Sequence, residues 1–321
     1  MKVIDPAEHP VPYVHRMLLG GVAPRPIALV ASRDAEGRDN LSPFSFFNAF
    51  GANPPVVVVS PAYRGRDGSA KHTFENIRSA GEFTISAVSH AMVEQISLAS
   101  SDYDRGVDEF VKAGFTKHAS EIIAPPGVAE SPFIMECRLL RHVDTGGRPG
   151  AGNLMIAEVL RFHISEEVFD GDVIDPRKLD LVARMGGNWY CRANGDALFE
   201  LPKPAHNGIG FDALPGHLLH SGLTGNELAR LAGVAELPPA AMAHDRWTAG
   251  LRDADTLPFP LPEDVTAAIH LWNDPETTAE ELVHTLLGCV RSCLSAGNLD
   301  LAWTCAWIAD LETVSRLRAD A

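Results

Sequence analysis

Two clusters of short polar and basic residues stand out for what they could bind rather than what they could cleave. Asn40, Leu41, Ser42, Pro43 and Ser45 follow a polar turn and lie on or just after a strand pattern. Amide and hydroxyl side chains there, beside free backbone groups, can bond the polar edge of a ligand. Further on, Lys71, His72 and Thr73 open a helix pattern, with Asn76 within its next turn. Unpaired N–H groups at a helix start favour a phosphate. Each residue also has a plain structural reading. Asn40 fits an Asx turn, Ser42 and Ser45 fit ordinary strand positions, Thr73 fits an N-cap and Asn76 a solvated helix residue. Motifs for direct side-chain catalysis are missing: there is no G-x-S-x-G, no H-E-x-x-H and no G-x-x-x-x-G-K-[ST]. Gly208 to Ala213 matches G-x-G-x-x-A, but it follows Pro-Ala-His-Asn instead of a strand and does not read as a dinucleotide turn.

These residues need elements to position them. Ile27–Ser32 reads as a strand after Pro24-Arg25-Pro26, with a turn at Gly37 and a returning strand from Asn40 to Phe47. Pro54-Pro55 precedes the β-branched run Val56–Val59, a buried strand. Lys71–Ser79 is a short helix ended by Gly81. Glu82–Val88 is a strand, Met92–Ala99 a helix, and Phe133–His142 and Leu154–Ile164 are two long strands. Short strands, hairpin-like turns and a few covering helices predict an antiparallel barrel over a doubly wound sheet. Beyond Pro202-Lys203-Pro204 helix signals dominate. Thr224-x-x-Glu227 fits a capping box. Asp274-Pro275 predicts a helix start, with Leu282, Leu286 and Val290 on one face. Gly297-Asn298 stops that helix, and Leu299–Leu317 reads as the next, forming a hairpin with it. Leu257–Pro262 reads as a Pro-rich extended linker. The division predicted is a domain over 1–204 and a helical extension over 205–321.

The order of motifs resembles the flavin reductase-like, FMN-binding split-barrel family. Pro24-Arg25-Pro26, the strand, Gly37 with Asn40-Leu41-Ser42-Pro43-Phe44-Ser45, Pro54-Pro55, Lys71-His72-Thr73-Phe74-Glu75-Asn76-Ile77 and Gly81-Glu82-Phe83 fall in that family's order. Arg184-Met185-Gly186-Gly187-Asn188-Trp189-Tyr190 is similar to the R-x-G-G-x-x-Y element of the branch holding nitrilotriacetate-monooxygenase reductase components. The resemblance spans about residues 10–204. It implies a mainly β split barrel, Greek-key-like, with covering helices, to which the helix signals beyond residue 204 add a C-terminal α-helical extension.

It also implies bound FMN, with NAD(P)H as co-substrate. The ring and ribityl chain would lie along Asn40–Ser45 and the phosphate near Lys71, Thr73 and Asn76. Arg25, Ser60 and His72 are further cofactor-binding candidates, and Arg184 and Tyr190 would reach the flavin from a partner chain in a homodimer. Arg184 equally fits a structural ion pair. The implied activity is an NAD(P)H:flavin reductase that supplies reduced flavin to a monooxygenase. The alternatives are an FMN-dependent enzyme whose C-terminal helices line a pocket for its own organic substrate, or a non-catalytic FMN-binding electron carrier. Two residues depart from the family pattern. His72 stands where Asp is common, and Gly152-Asn153-Leu154 stands where G-D-H is common, removing the His associated with the nicotinamide side.

Composition bounds these readings. The 321 residues carry 27 Lys+Arg and 42 Asp+Glu, a formal charge of −15. That argues against a nucleic-acid or anionic-membrane surface. Residues 1–204 hold 21 Lys+Arg and 26 Asp+Glu, a net of −5, whereas 205–321 hold 6 and 16, a net of −10. The barrel region is therefore near enough to neutral to hold a phosphate. No apolar run approaches the ~20 residues of a membrane span. The first residues lack the apolar stretch of a secretory signal. Five cysteines without C-x-x-C read as free thiols, and the expected compartment is the cytoplasm.

Overall fold

The computed structural model describes residues 1–252 and 262–319. Its contacts divide the chain into two units, Met1–Glu200 and Leu201–Ala321.

The first unit opens with helix α1 (Val11–Gly21), followed by strands β1 (Arg25–Pro26), β2 (Ala28–Arg33), β3 (Asp39–Phe44), β4 (Phe47–Ala52) and β5 (Pro55–Val59). Helix α2 (His72–Ala80) leads into β6 (Glu82–Ala87), then α3 (Val93–Ala99) and α4 (Glu109–Ala113). A short ribbon, β7 (Lys117–His118) with β8 (Gly127–Val128), precedes the long hairpin β9 (Phe133–Asp144) and β10 (Asn153–Ile164). A second ribbon, β11 (Phe169–Asp170) with β12 (Val173–Ile174), α5 (Pro176–Leu179), β13 (Val182–Arg184) and β14 (Tyr190–Arg192) complete the unit. Seven antiparallel strands pair in the order β3-β2-β6-β9-β10-β5-β4, and β1-β13-β14 form a separate sheet.

The strand expected over 40–47 stops at Phe44, and a new one starts at Phe47. Long-range pairing decides this. β3 pairs β2 at one edge of the sheet, while β4 pairs β5 at the other. Only Ser45 and Phe46 join the two edges, so Phe44 and Phe47 lie within about 11 Å of each other. The sheet must curl until its edges nearly meet, which is the split barrel. Side chains alternate across β2 accordingly. Ala28 and Val30 face a core with Val57, Ile85, Met135 and Met155, while Leu29 and Ala31 face one with Met92, Ile96 and Phe110. Helix α2 packs Phe74 and Ile77 on the first core and ends at Gly81, whose φ of 75° is the left-handed conformation glycine adopts at no steric cost.

The second unit is helical: α6 (Gly216–Leu219), α7 (Gly225–Ala232), α8 (Ala240–Arg252), α9 (Glu263–Asn273), α10 (Ala279–Ser295), α11 (Leu299–Ile308) and α12 (Leu311–Ala319). The Thr224–Glu227 capping box is present. Two expectations are corrected. Asp274 ends α9, and α10 starts at a second capping box, Thr278 with Glu281, which satisfies more N–H groups than a Pro at the first position. The helix expected over 299–317 breaks after Ile308, because the Asp310 carboxylate accepts from the Thr313 N–H and caps a new helix. Of the expected linker, 257–261 lie outside the described residues, and Pro262 caps α9. Trp247, Trp272 and Trp303 are buried in this unit's core with Leu282, Leu286, Val290 and Cys293. All five cysteines are free thiols; Cys191 is half-buried and the others are buried. No described helix is long and apolar enough to cross a membrane.

Candidate functional site

The barrel's closing seam borders a cavity of about 530 Å³, within the ~300–1,000 Å³ range of small-molecule sites. His15 and Leu19 of α1, Arg25 of β1, Pro43 to Phe46, Ser60, Ala62 to Arg66, Lys71, Asp102 and Arg184 of β13 line it. Five cations share this cavity with one carboxylate, in a chain whose overall charge is strongly negative.

Arg25 builds the wall. It is only 4% exposed. Its Nε donates to Ser45 Oγ (3.3 Å), and its terminal nitrogens donate to the carbonyls of Leu19 (2.7 Å), Val22 (2.6 Å) and Met185 (3.1 Å). One guanidinium thus ties α1, the seam and the end of β13 together. Burial, and then the nearby Arg184, pull its pKa down. Arg184 is its direct cross-strand partner. Arg184 donates to the Gly187 carbonyl (2.9 Å) and lies 4.5 Å from the Tyr190 ring centroid.

Lys71 is the N-cap of α2, and no side chain caps the N–H groups behind it. Burial, reinforced by Arg64 and Arg66 against the opposing pull of Asp102, holds its ammonium below the usual lysine value. Among the described residues it has no carboxylate partner, because Asp102 is taken by Arg64 (2.7 Å) and Arg66 (2.5 Å). A half-buried, unpaired ammonium beside an uncapped helix start calls for an anion. Ser60 closes the floor. Its N–H donates to the Phe46 carbonyl (2.9 Å), and its hydroxyl accepts from the Asn153 N–H (3.1 Å).

The cavity therefore brings together Arg25, Pro43, Ser45, Ser60, Lys71 and Arg184 from the expected set. The others lie elsewhere. Leu41 is fully buried in the core. Ser42 is half-buried opposite Val30 on β2. Asn40 and Thr73 form a buried network behind the wall. The Thr73 hydroxyl donates to Asn40 Oδ1 (2.7 Å), and Asn40 Nδ2 donates to Glu109 Oε1 (2.9 Å). Glu109 Oε2 also accepts from the Leu41 N–H (2.9 Å). Burial pushes the Glu109 carboxyl up despite these bonds. Asn76 donates to Ser32 Oγ (3.2 Å). The amides of Asn40 and Asn76 thus hold β3 and α2 in place instead of facing the cavity. His72 adjoins a small cleft with Asn40, Asn76 and Arg105, and burial holds its pKa down. Tyr190 lines a separate cavity of about 370 Å³ with His90 and Glu94.

The sequence reading missed His15, Arg64, Arg66 and Asp102. Arg64-Gly65-Arg66, a basic turn shortly before Lys71, was a usable signal; His15 and Asp102 had none, since only the fold brings them here. A larger cavity, about 800 Å³, is lined by apolar groups such as Phe47, Phe133, Met135 and Phe162 and by no charged side chain. Asn48 is its one amide side chain, so it offers an apolar shape and no charge to hold an anion.

The cation set and the seam hydroxyls suit an anionic ligand with polar groups along its length. Comparison with known proteins narrows the class. Residues 20–179 match the flavin reductase like domain. A protein of uncharacterised function from Halalkalibacterium halodurans is 34% identical over 178 residues, 55% of this chain and 85% of its own. The crystal structure of nitrilotriacetate monooxygenase component B from Bacillus cereus superposes with a TM-score of 0.59 at 33% identity, covering 63% of this chain and 98% of that one. The 2-nitrobenzoate 2-nitroreductase NbaA of Pseudomonas fluorescens does so with a TM-score of 0.54 at 27% identity, covering 63% and 96%. The chain belongs to the flavin reductase-like family, and its first unit is that family's split barrel.

Proposed function

We propose that the protein binds FMN in the seam cavity and acts as an NAD(P)H:flavin reductase-type oxidoreductase. The observation that carries this reading is Lys71, an unpaired ammonium at an uncapped helix start, sharing one cavity with Arg25 and Arg184. Lys71 and the first N–H groups of α2 hold the phosphate. Ser45, Pro43 and Ser60 line the ribityl and ring region, and Arg25 keeps that wall rigid. The bound flavin supplies the redox chemistry by accepting a hydride, so no side-chain nucleophile is needed. Likeness to a monooxygenase component supports a role in supplying reduced flavin to a separate monooxygenase. The homodimer rests on the likeness to the family alone. We assign residues 205–321 to an accessory helical domain.

Absorbance of the purified protein with added FMN, followed by anaerobic mixing with NADH and with NADPH, tests the reading. Bleaching of the flavin band with either donor is expected; a flavin that stays oxidised with both overturns it. The likeness to a nitroreductase favours a second reading, in which the reduced flavin acts on an organic substrate bound by this protein. Turnover of a nitroaromatic without a partner protein distinguishes the two.

A further inference from the structure

We propose that Arg184, set against Arg25 across the β1–β13 pair, stabilises the negative charge that the ring edge of a bound flavin gains on reduction. The proposal rests on the flavin reading of the cavity. Like charges directly opposite each other in a β ladder are costly. Here they are Cα partners, and the cavity's one carboxylate, Asp102, is held by Arg64 and Arg66. The hydrogen bonds of Arg25 go to Ser45 and three main-chain carbonyls, so its charge is fixed in the wall. Among the described residues Arg184 makes one side-chain hydrogen bond, to the Gly187 carbonyl, and rests over Tyr190, which leaves donors free for a ligand. Two cations held together with no anion between them are preorganised for a negative charge.

The ligand's phosphate is placed at Lys71 and the start of α2. A flavin nucleotide carries its phosphate at one end and its ring at the other; Arg64 and Arg66 bear on Lys71 at the phosphate end, so the ring is left to Arg25 and Arg184. Hydride transfer from a reduced nicotinamide delivers two electrons and one proton to N5, and the nicotinamide departs oxidised. The ring then bears one negative charge over N1 and O2 that the oxidised ring lacks. Arg184 therefore favours the reduced form over the oxidised one, which raises the flavin's midpoint potential.

The test compares wild type, Arg184→Gln and Arg184→Lys as holoproteins, with FMN and with riboflavin. Oxidised-flavin affinity is read by fluorescence titration and the midpoint potential by dye-equilibrated reduction. For Arg184→Gln the expected result is little change in oxidised-flavin affinity. Binding of the reduced form should fall roughly tenfold, read as a potential about 30 mV more negative for the two-electron couple. The shift should be the same with riboflavin, and Arg184→Lys should restore most of it. An unchanged potential overturns the proposal. So does a variant that weakens FMN but not riboflavin, because Arg184 would then hold the phosphate. Wild type that takes up neither flavin overturns the flavin reading itself, along with this proposal; wild type that binds FMN while Arg184→Gln shows no shift overturns the proposal alone.

Discussion

The two units bury different things. In the barrel unit, carboxylates and amides are taken inside and paired: Glu109 with Asn40 and Leu41, and Glu136 with three N–H groups and His163. In the helical unit, indoles, thiols and leucines fill the core, and the buried N–H groups of Trp247 and Trp303 have no partner among the described residues. Paired polar groups have directional requirements, so they fix β3 and α2 relative to each other and keep a charged cavity in shape. Apolar packing tolerates more rearrangement and fixes less. The difference teaches where precision is invested: around the seam cavity, and not among the appended helices.

Four measurements would break or sharpen that contrast. The largest effect is expected from Trp303→Ala, which removes a fully packed indole and should destabilise the helical unit by about 3–5 kcal/mol. Calorimetry should show its transition lowered while FMN titration is unchanged; weakened FMN binding would end the contrast. Next is Lys71→Gln. Losing a charge-assisted contact of about 1.5–3 kcal/mol should weaken FMN roughly 10- to 150-fold. Fluorescence titration should show riboflavin affected far less. Third, Thr278→Ala removes half of a capping box and should cost about 1 kcal/mol, seen in urea unfolding of the helical unit alone.

The fourth measurement is read as the shape of a pH profile, where the expected change is the smallest. Burial pushes the Glu136 carboxyl up, but the N–H of Glu121, the His163 ring and the N–H groups of Ile122 and Ile123 outweigh it and hold the pKa below the usual range. A depressed carboxylate stabilises the fold fully above its unfolded value, about 4.3. That contribution is lost as pH falls through the lower folded value. Glu136→Gln should therefore flatten the acid limb of barrel stability below about pH 4. An unchanged acid limb in the variant would show that the pairing does not matter there.

Much of the barrel was legible in local pattern. The β-branched run 56–59, the turn at Gly37 and the glycine stop at Gly81 each carry their own signal, and the strands expected at 27–32, 56–59, 82–88, 133–142 and 154–164 and helix α2 sit within a residue or two of expectation, whereas short strands such as β1, β13 and β14 gave no local pattern. The seam was not legible. Asn40 to Phe47 is continuous as a strand pattern, and only pairing at opposite sheet edges divides it. The candidate site was half legible for the same kind of reason. Lys71 and Ser45 could be chosen from residue type and place. The inward turn of Asn40 depends on Glu109, far along the chain, and no local spacing announces it. In the helical unit the break at Asp310 was hidden because the apolar pattern runs through it; a single carboxylate accepting the Thr313 N–H decided the boundary.

The two-residue seam makes closure of the barrel and shape of the cavity one event. Ser45 is held by Arg25, and Phe46 by the N–H of Ser60. A ligand seated against these residues gains affinity only while the sheet edges stay together. Occupancy and barrel unfolding are then linked by mass action: the barrel's stability rises by RT ln(1 + [L]/Kd), and its melting temperature becomes a gauge of free ligand concentration.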